Sequence, residues 1–310
     1  MTASPTRARR AEMRARLLVK ATRCLQALAL LALFGAGSAT AEDGPGCLDC
    51  HSPEPDSPVH AIYDNVHGTL EGGGANACTA CHGASEVHDR RGKRAAPDVS
   101  FGPRWPADLE TRNGACVSCH ASGDQLLWTG SAHQQEDMAC TDCHTLHRAS
   151  DPILDDRQAT AFCGECHSQV RGELRLPSHH PIAEGELACG DCHNPHGSAG
   201  DAALRETSIN DNCLGCHQEK RGPFLWEHEP VSEDCSLCHR SHGSVHDRLL
   251  VARGPALCQQ CHSAAFHPSV PYGGESLGGN SGAYVVGKDC LNCHGQVHGS
   301  NHPSGARLTR

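Results

Sequence analysis

Cys140-Thr141-Asp142-Cys143-His144-Thr145-Leu146-His147 decides how this chain is to be read. Its first five residues spell C-x-x-C-H, the attachment signature of c-type haem. Two thiols add across the vinyl groups of one rigid macrocycle, and the next histidine turns onto the iron. All three bonds must close within a single turn of chain, which is why the spacing is fixed. His147 follows at three residues. On a helix the two histidines would share one face, with Cβ atoms about 5–6 Å apart, so they cannot grip opposite sides of one haem. The trailing histidine has to reach a neighbouring one.

Outward from this segment the pattern repeats along the chain. The thiol pairs are Cys47/Cys50, Cys78/Cys81, Cys116/Cys119, Cys140/Cys143 and Cys163/Cys166, then Cys189/Cys192, Cys213/Cys216, Cys235/Cys238, Cys258/Cys261 and Cys290/Cys293. The histidines behind them are His51, His82, His120, His144, His167, His193, His217, His239, His262 and His294. These motifs take 20 of the 21 cysteines, leaving Cys24 near the N-terminus without a role. A disulfide framework needs no histidine after every second cysteine. Structural zinc knuckles would not repeat the same trailing histidine at every pair. The expected cofactor is therefore haem c, ten copies, covalently bound.

The second axial ligand separates electron transfer from bond chemistry. Of three methionines only Met138 lies beyond the N-terminal segment, and it could serve one haem at most. Histidine is plentiful, with 24 in all and fourteen outside the motifs. The expected distal ligands are His67, His88, His133, His147, His179, His196, His228, His242, His267 and His298. His179 is preferred over His180 because His179-His180-Pro181-Ile182 lies beside His228-Glu229-Pro230-Val231 on alignment. His246 and His302 could stand in for His242 and His298, since His242-Gly-Ser-Val-His246 and His298-Gly-Ser-Asn-His302 repeat each other. His60 is surplus.

The spacing of these free histidines divides the chain into five two-haem units, 47–88, 116–147, 163–196, 213–242 and 258–298, which reads as growth by duplication. Within a unit the trailing histidine is expected to serve the first haem and the isolated histidine the second. The fold class that follows is a multihaem cytochrome c with short helices at the motifs, long coil connections, almost no sheet and an elongated row of haems. Large apolar side chains are scarce, with only three Trp, three Tyr and five Phe against 33 Gly and 18 Pro. A chain of this length ordinarily buries a sizeable core; here haem faces would have to fill it.

Residues 1–41 read as a cleaved signal peptide. Seven basic residues precede an apolar run from Leu25 to Phe34, too short for the ~20 residues that span a bilayer, and Ala39-Thr40-Ala41 completes a cleavage site. Of the 26 basic and 36 acidic residues, seven and one fall there, leaving 19 against 35 over 42–310, a net charge of −16. That excess argues against nucleic acid and against an anionic membrane surface. It is interrupted by Asp89-Arg90-Arg91-Gly92-Lys93-Arg94, read as a solvated basic loop, the alternative being a patch that neutralises haem propionates or docks an acidic partner. Pro271 to Gly287 reads as a Gly-rich loop.

Several segments resemble the DmsE/MtrA family of decahaem cytochromes. They are Trp128-Thr129-Gly130-Ser131-Ala132-His133, Ser178-His179-His180-Pro181, Gly222-Pro223-Phe224-Leu225-Trp226-Glu227-His228-Glu229-Pro230-Val231, and His298-Gly299-Ser300-Asn301-His302-Pro303-Ser304-Gly305. The resemblance implies a periplasmic electron wire of a Gram-negative bacterium, held within an outer-membrane β-barrel porin-like protein. Its donor would be a periplasmic or inner-membrane cytochrome, and its acceptor an extracellular cytochrome or terminal reductase. A free periplasmic shuttle is the alternative. A multihaem reductase would need an iron with an open coordination position, and the surplus of distal histidines speaks against a catalytic role.

Overall fold

The computed structural model describes residues 47–51, 58–91, 94–262, 289–303 and 305–309. Residues 1–41, read from the sequence as a signal peptide, together with Cys24, His267 and the 271–287 stretch, lie outside the described residues. From Cys47 onward the chain forms a compact unit of its own.

Every C-x-x-C-H motif with both ends described is held by the same local bond. The backbone N–H of the histidine donates to the carbonyl of the first cysteine, at 2.8 Å from His51 to Cys47, 2.9 Å from His144 to Cys140 and 2.8 Å from His294 to Cys290. One helical turn thus places two thiols and an imidazole together, as the attachment chemistry requires. Motifs three, five and seven sit at the C-terminal ends of the helices Leu109–Val117, Asp156–Cys166 and Ile209–Leu214. Asp108, Asp155 and Ser208 cap these helices by accepting from Thr111, Gln158 and Asp211 N–H groups, as short polar side chains do at N-caps. Motifs four and six are bare turns, Cys140–Cys143 and Cys189–Cys192. In these, Asp142 and Asp191 fold back to accept from the Ala139 and Ala188 N–H groups, both at 2.8 Å.

An asparagine three residues ahead of motifs three and seven joins each to the motif after it. Asn113 Oδ1 accepts from Cys140 N–H (3.0 Å) and its Nδ2 donates to the Met138 carbonyl (3.1 Å). Asn210 does the same with Cys235 N–H (2.8 Å) and the Val231 carbonyl (3.0 Å). The longest helix among the described residues has 11 residues, marginal by itself in water, so tertiary clamps of this kind must hold it.

No strand forms among the described residues; four isolated bridges replace sheet. Two of them, Ser178 with Ser244 and Trp226 with Ser300, join segments more than sixty residues apart. They tie the loop before the isolated histidine of one unit to the loop after the trailing histidine of the next. Asn194 does similar work by donating to the Asp124 carbonyl (2.8 Å). The Gly in each His-Gly-Ser sequence is where these loops press together. A Cβ on Gly197 would strike the Leu127 carbonyl, one on Gly243 the Glu173 carbonyl, and one on Gly299 the Phe224 ring. The basic run differs from expectation in one respect: Glu86 to Arg91 is helical, with Arg90 paired to Glu86 at 3.5 Å across one turn. Local helix-forming side chains and an i,i+4 ion pair favour that turn over a loop.

Among the described residues the buried apolar ones are Ile62, Ala77, Ala139, Leu174 and Ala188, and no large side chain is fully buried. Where a core would lie, one continuous cavity of about 4230 Å³ runs from the fourth motif to the tenth, lined by their cysteines and histidines. Pockets for single small ligands measure about 300–1,000 Å³. This space is built for several large groups in a row.

Candidate haem-binding site

An imidazole nitrogen bonds a metal at about 2 Å, with the ring centre about 1 Å behind it, so two imidazoles on opposite faces of one iron stand with centres about 6 Å apart. Nine motif histidines meet a free histidine at that separation. The pairs are His51 with His88 (6.0 Å), His82 with His147 (6.3 Å) and His120 with His67 (6.1 Å). They continue with His144 and His196 (6.0 Å), His167 and His133 (6.1 Å), and His193 and His242 (6.1 Å). His217 meets His180 (6.3 Å), His239 meets His298 (6.1 Å) and His262 meets His228 (6.0 Å). The tenth motif histidine, His294, has its expected partner His267 outside the described residues.

The rings are oriented from behind. His133 Nδ1 bonds the Pro195 carbonyl (2.8 Å), His180 the Ser241 carbonyl (2.8 Å) and His228 the Val297 carbonyl (3.1 Å). Each of those carbonyls immediately precedes a trailing histidine of the following unit. His88 Nδ1 bonds the Ala95 carbonyl (2.8 Å). Such bonds fix the tautomer that leaves Nε2 facing the partner ring. Burial holds His67, His82, His196, His242 and His298 below the ordinary histidine range. Their facing histidines add to the effect in each case. Neutral imidazole, the form that binds iron, is thereby favoured.

Two expectations from the sequence are altered by this geometry. His179 does not face a motif histidine: its Nδ1 bonds the Leu176 carbonyl (2.5 Å) and its Nε2 pairs with Glu184 (3.1 Å), while His180 stands opposite His217. The proline alignment is out of step by one residue. The bridges equate Ser178 with Trp226, and counting two residues on from each gives His180 and His228. In the two His-Gly-Ser repeats it is His242 and His298, the first histidine of each, that stand opposite motif histidines.

The second alteration concerns which histidine serves which motif. Among the nine described pairs, His88 alone stays within its unit as expected. In the others the isolated histidine reaches the first motif of the next unit, and the trailing histidine reaches the second motif of the previous one. The reason is the pairing of loops between units, which carries each trailing histidine backwards along the chain. His147 accordingly faces the second motif rather than the third. Replacing it with Ala should convert one haem to high-spin, and magnetic circular dichroism combined with removal of individual motifs should assign that haem to Cys78/Cys81. Assignment to Cys116/Cys119 would restore the within-unit scheme.

The thiols report the order of the motifs in space. Burial raises Cys47, and Cys78 beside it raises it further. By the same sign, Cys81 neighbours Cys119, Cys116 neighbours Cys140, Cys143 neighbours Cys166 and Cys163 neighbours Cys189. The sequence goes on through Cys192 with Cys216, Cys213 with Cys235, Cys238 with Cys261, and Cys258 with Cys290. First cysteines meet first cysteines, then second meet second, in strict alternation. Each interior motif therefore lies near the one before it at one thiol and near the one after it at the other, a single unbranched file.

Cys50 departs from this pattern. The sequence makes it a haem thiol equal to the rest, and it does close the turn Cys47–Cys50. It is exposed, as are Cys119, Cys166, Cys192, Cys216, Cys261 and Cys293, while its partner Cys47 lies half-buried beside Cys78. What sets it apart is position: the first motif has a neighbour on one side alone, and Cys50 occupies the open side. Cys293 is its counterpart at the tenth motif. A thioether at Cys50 would accordingly sit at the solvent-facing end of the file rather than between two haems.

A 284-residue alignment, covering 89% of this chain and 84% of the relative, is 42% identical to the multihaem cytochrome MtrA of Shewanella baltica (strain OS185). The chain belongs to the MtrA family of multihaem cytochromes. Residues 78–166 also match the model of NrfB-like c-type cytochromes, and 179–222 and 228–267 match the doubled C-x-x-C-H motif. The c-type protein NrfB of Escherichia coli O6:H1 (strain CFT073) is 32% identical over 132 residues, 40% of this chain and 65% of that one. As an MtrA-family cytochrome the protein binds haem c covalently through its C-x-x-C-H motifs and works in electron transfer.

Two features are missed by sequence reasoning. The His-Gly-Ser repeat is visible, but nothing marks its glycine as the point of loop contact. Asp151, which holds His144, carries no motif that would single it out.

Proposed function

We propose that the protein holds ten bis-histidine haems. Nine would use the ring pairs above, and the tenth would use His294 with His267. When bound, the haems supply one-electron exchange between ferric and ferrous iron. The polypeptide sets their order, closes both faces of each iron with imidazole and leaves no designed opening for a substrate. The acidic excess and bis-histidine ligation favour the ferric state, and so low potentials.

By likeness to the MtrA cytochromes, we assign the chain to the periplasm, in contact with an outer-membrane β-barrel, where it carries electrons between periplasmic donors and the cell exterior. The observation that carries this reading is the unbranched alternation of neighbouring cysteines from the first motif to the tenth. A single file suits a wire with two ends; a catalyst would need one open iron. No described helix is long and apolar enough to cross a membrane, so passage would depend on a barrel formed by another chain. The test is membrane fractionation with haem staining, followed by detergent extraction. Co-purification with a large β-barrel is the expected result. Quantitative release with the soluble periplasm, without a barrel, would make the protein a shuttle.

A further inference from the structure

Five motif histidines, those of the even-numbered motifs, donate Nδ1–H to a loop that follows them, and four of these loops answer with a backbone carbonyl. His82 bonds Val99 (2.9 Å), His193 bonds Ala202 (2.9 Å), His239 bonds Arg248 (2.8 Å) and His294 bonds Arg307 (2.7 Å). In the sixth and eighth motifs the carbonyl is nine residues on and is presented by a residue in the left-handed region, Ala202 (φ 52°) or Arg248 (φ 59°). The fourth motif departs from this. Its loop comes back after seven residues, and the acceptor is a side chain: His144 Nδ1 meets Asp151 Oδ2 at 2.7 Å.

Asp151 is held for that task. Its Oδ1 accepts from the backbone N–H groups of Thr145 (3.2 Å) and Ile153 (3.4 Å), and its side chain is only 10% exposed. The opposite ring has no such support, since His196 Nδ1 is buried without a hydrogen-bond partner. The charge hydrogen-bonded to this haem's ligands is therefore on the His144 side and poorly screened by solvent, while Asp124 and Arg205 near His196 act on that ring in opposite directions. A carboxylate hydrogen-bonded to a ligating imidazole makes the ligand a stronger donor than a carbonyl does. Stronger donation, and the negative charge itself, stabilise ferric over ferrous iron.

We infer that Asp151 is a potential-setting residue, which lowers the reduction potential of the haem at Cys140/Cys143 through His144 and makes the fourth site a low step in the chain. The inference rests on the bis-histidine reading above, with His144 and His196 as the ligands of that haem. The nearest parallel is His242 with Glu173, but at 3.5 Å, and the Glu173 side chain is 28% exposed. That contact should act in the same direction and more weakly.

The test is Asp151→Asn in the full haem-loaded protein, followed by potentiometric titration monitored by electron paramagnetic resonance. Asparagine keeps an acceptor oxygen and removes the charge. The near-parallel rings of the His144–His196 pair (12°), against 67° for His133–His167, help to distinguish this iron from its neighbour's. One haem should shift at least tenfold towards ferrous at fixed potential, a rise of about 59 mV for one electron. Asp151→Glu, which retains the charge, should stay near the wild-type potential. It also serves as the working variant if the asparagine protein fails to mature, and a rise in its potential as large as a tenfold shift would overturn the proposal. Unchanged potentials in an Asp151→Asn protein with full haem content and low-spin spectra would sink the inference and leave the ligation reading intact. If instead His196→Ala leaves every haem low-spin, the ligation reading itself fails.

Discussion

Produced without haem attachment, the chain from Cys47 onward should be unfolded, with no cooperative thermal transition. Ordering a residue costs about 1–2 kcal/mol in backbone entropy. Among the described residues, the buried apolar side chains available to offset that are Ile62, Leu174 and three alanines, a small fraction of what a domain of this length would bury. The cavity that replaces the core is lined by thiols and imidazoles, which hold nothing together until they are bonded. Coordinate bonds at sites of this type contribute directly to folding free energy. Each ring pair would also tie segments far apart in sequence, as His147 and His82 do. Far-ultraviolet circular dichroism with a thermal scan is the measurement, comparing protein matured with and without the haem-attachment machinery. A cooperative transition in the haem-free chain would show that polypeptide contacts alone suffice.

Much of this arrangement is legible in the sequence because covalent chemistry leaves rigid spacing. C-x-x-C-H gives the helical turn, the thiol pair and the adjacent ring at once, and the free histidines named from the sequence include all but one of those that stand opposite a motif histidine among the described residues. The short helices and the absence of strands among the described residues follow from composition. The partners of the distal rings are not legible, because they depend on contacts between segments sixty or more residues apart. The bridge between Ser178 and Ser244 is one such contact and the glycine at 243 that permits it is another. A one-residue slip in alignment is enough to exchange His180 for His179. The place of Cys50 at the end of the file is hidden for the same reason, since ten identical motifs do not say which of them is terminal. Asp151 escapes notice on related grounds: its role is visible only when its loop is seen to return two residues early and put a side chain where other motifs put a carbonyl.

Stitching between units also shapes what interruption would do. Each interior motif neighbours only one motif on either side through its thiols, and its two axial rings come from different units. Removing a haem from the middle, by Cys163→Ser with Cys166→Ser, leaves no parallel route around the gap between Cys143 and Cys189. Electron throughput across the assembled protein should fall by orders of magnitude, although nine haems remain and each half still accepts electrons. The check is transfer from an external reductant to a dye enclosed in liposomes carrying the cytochrome with the proposed barrel. Direct chemical reduction of the same samples would count the haems that are present. Removal of the terminal motif, Cys290→Ser with Cys293→Ser, is the control: it shortens the file without splitting it, and should cost throughput only at the exit. Retained throughput in the mid-chain variant would mean that the haems form a branched cluster, and the alternation of neighbouring cysteines would then not describe the electron path.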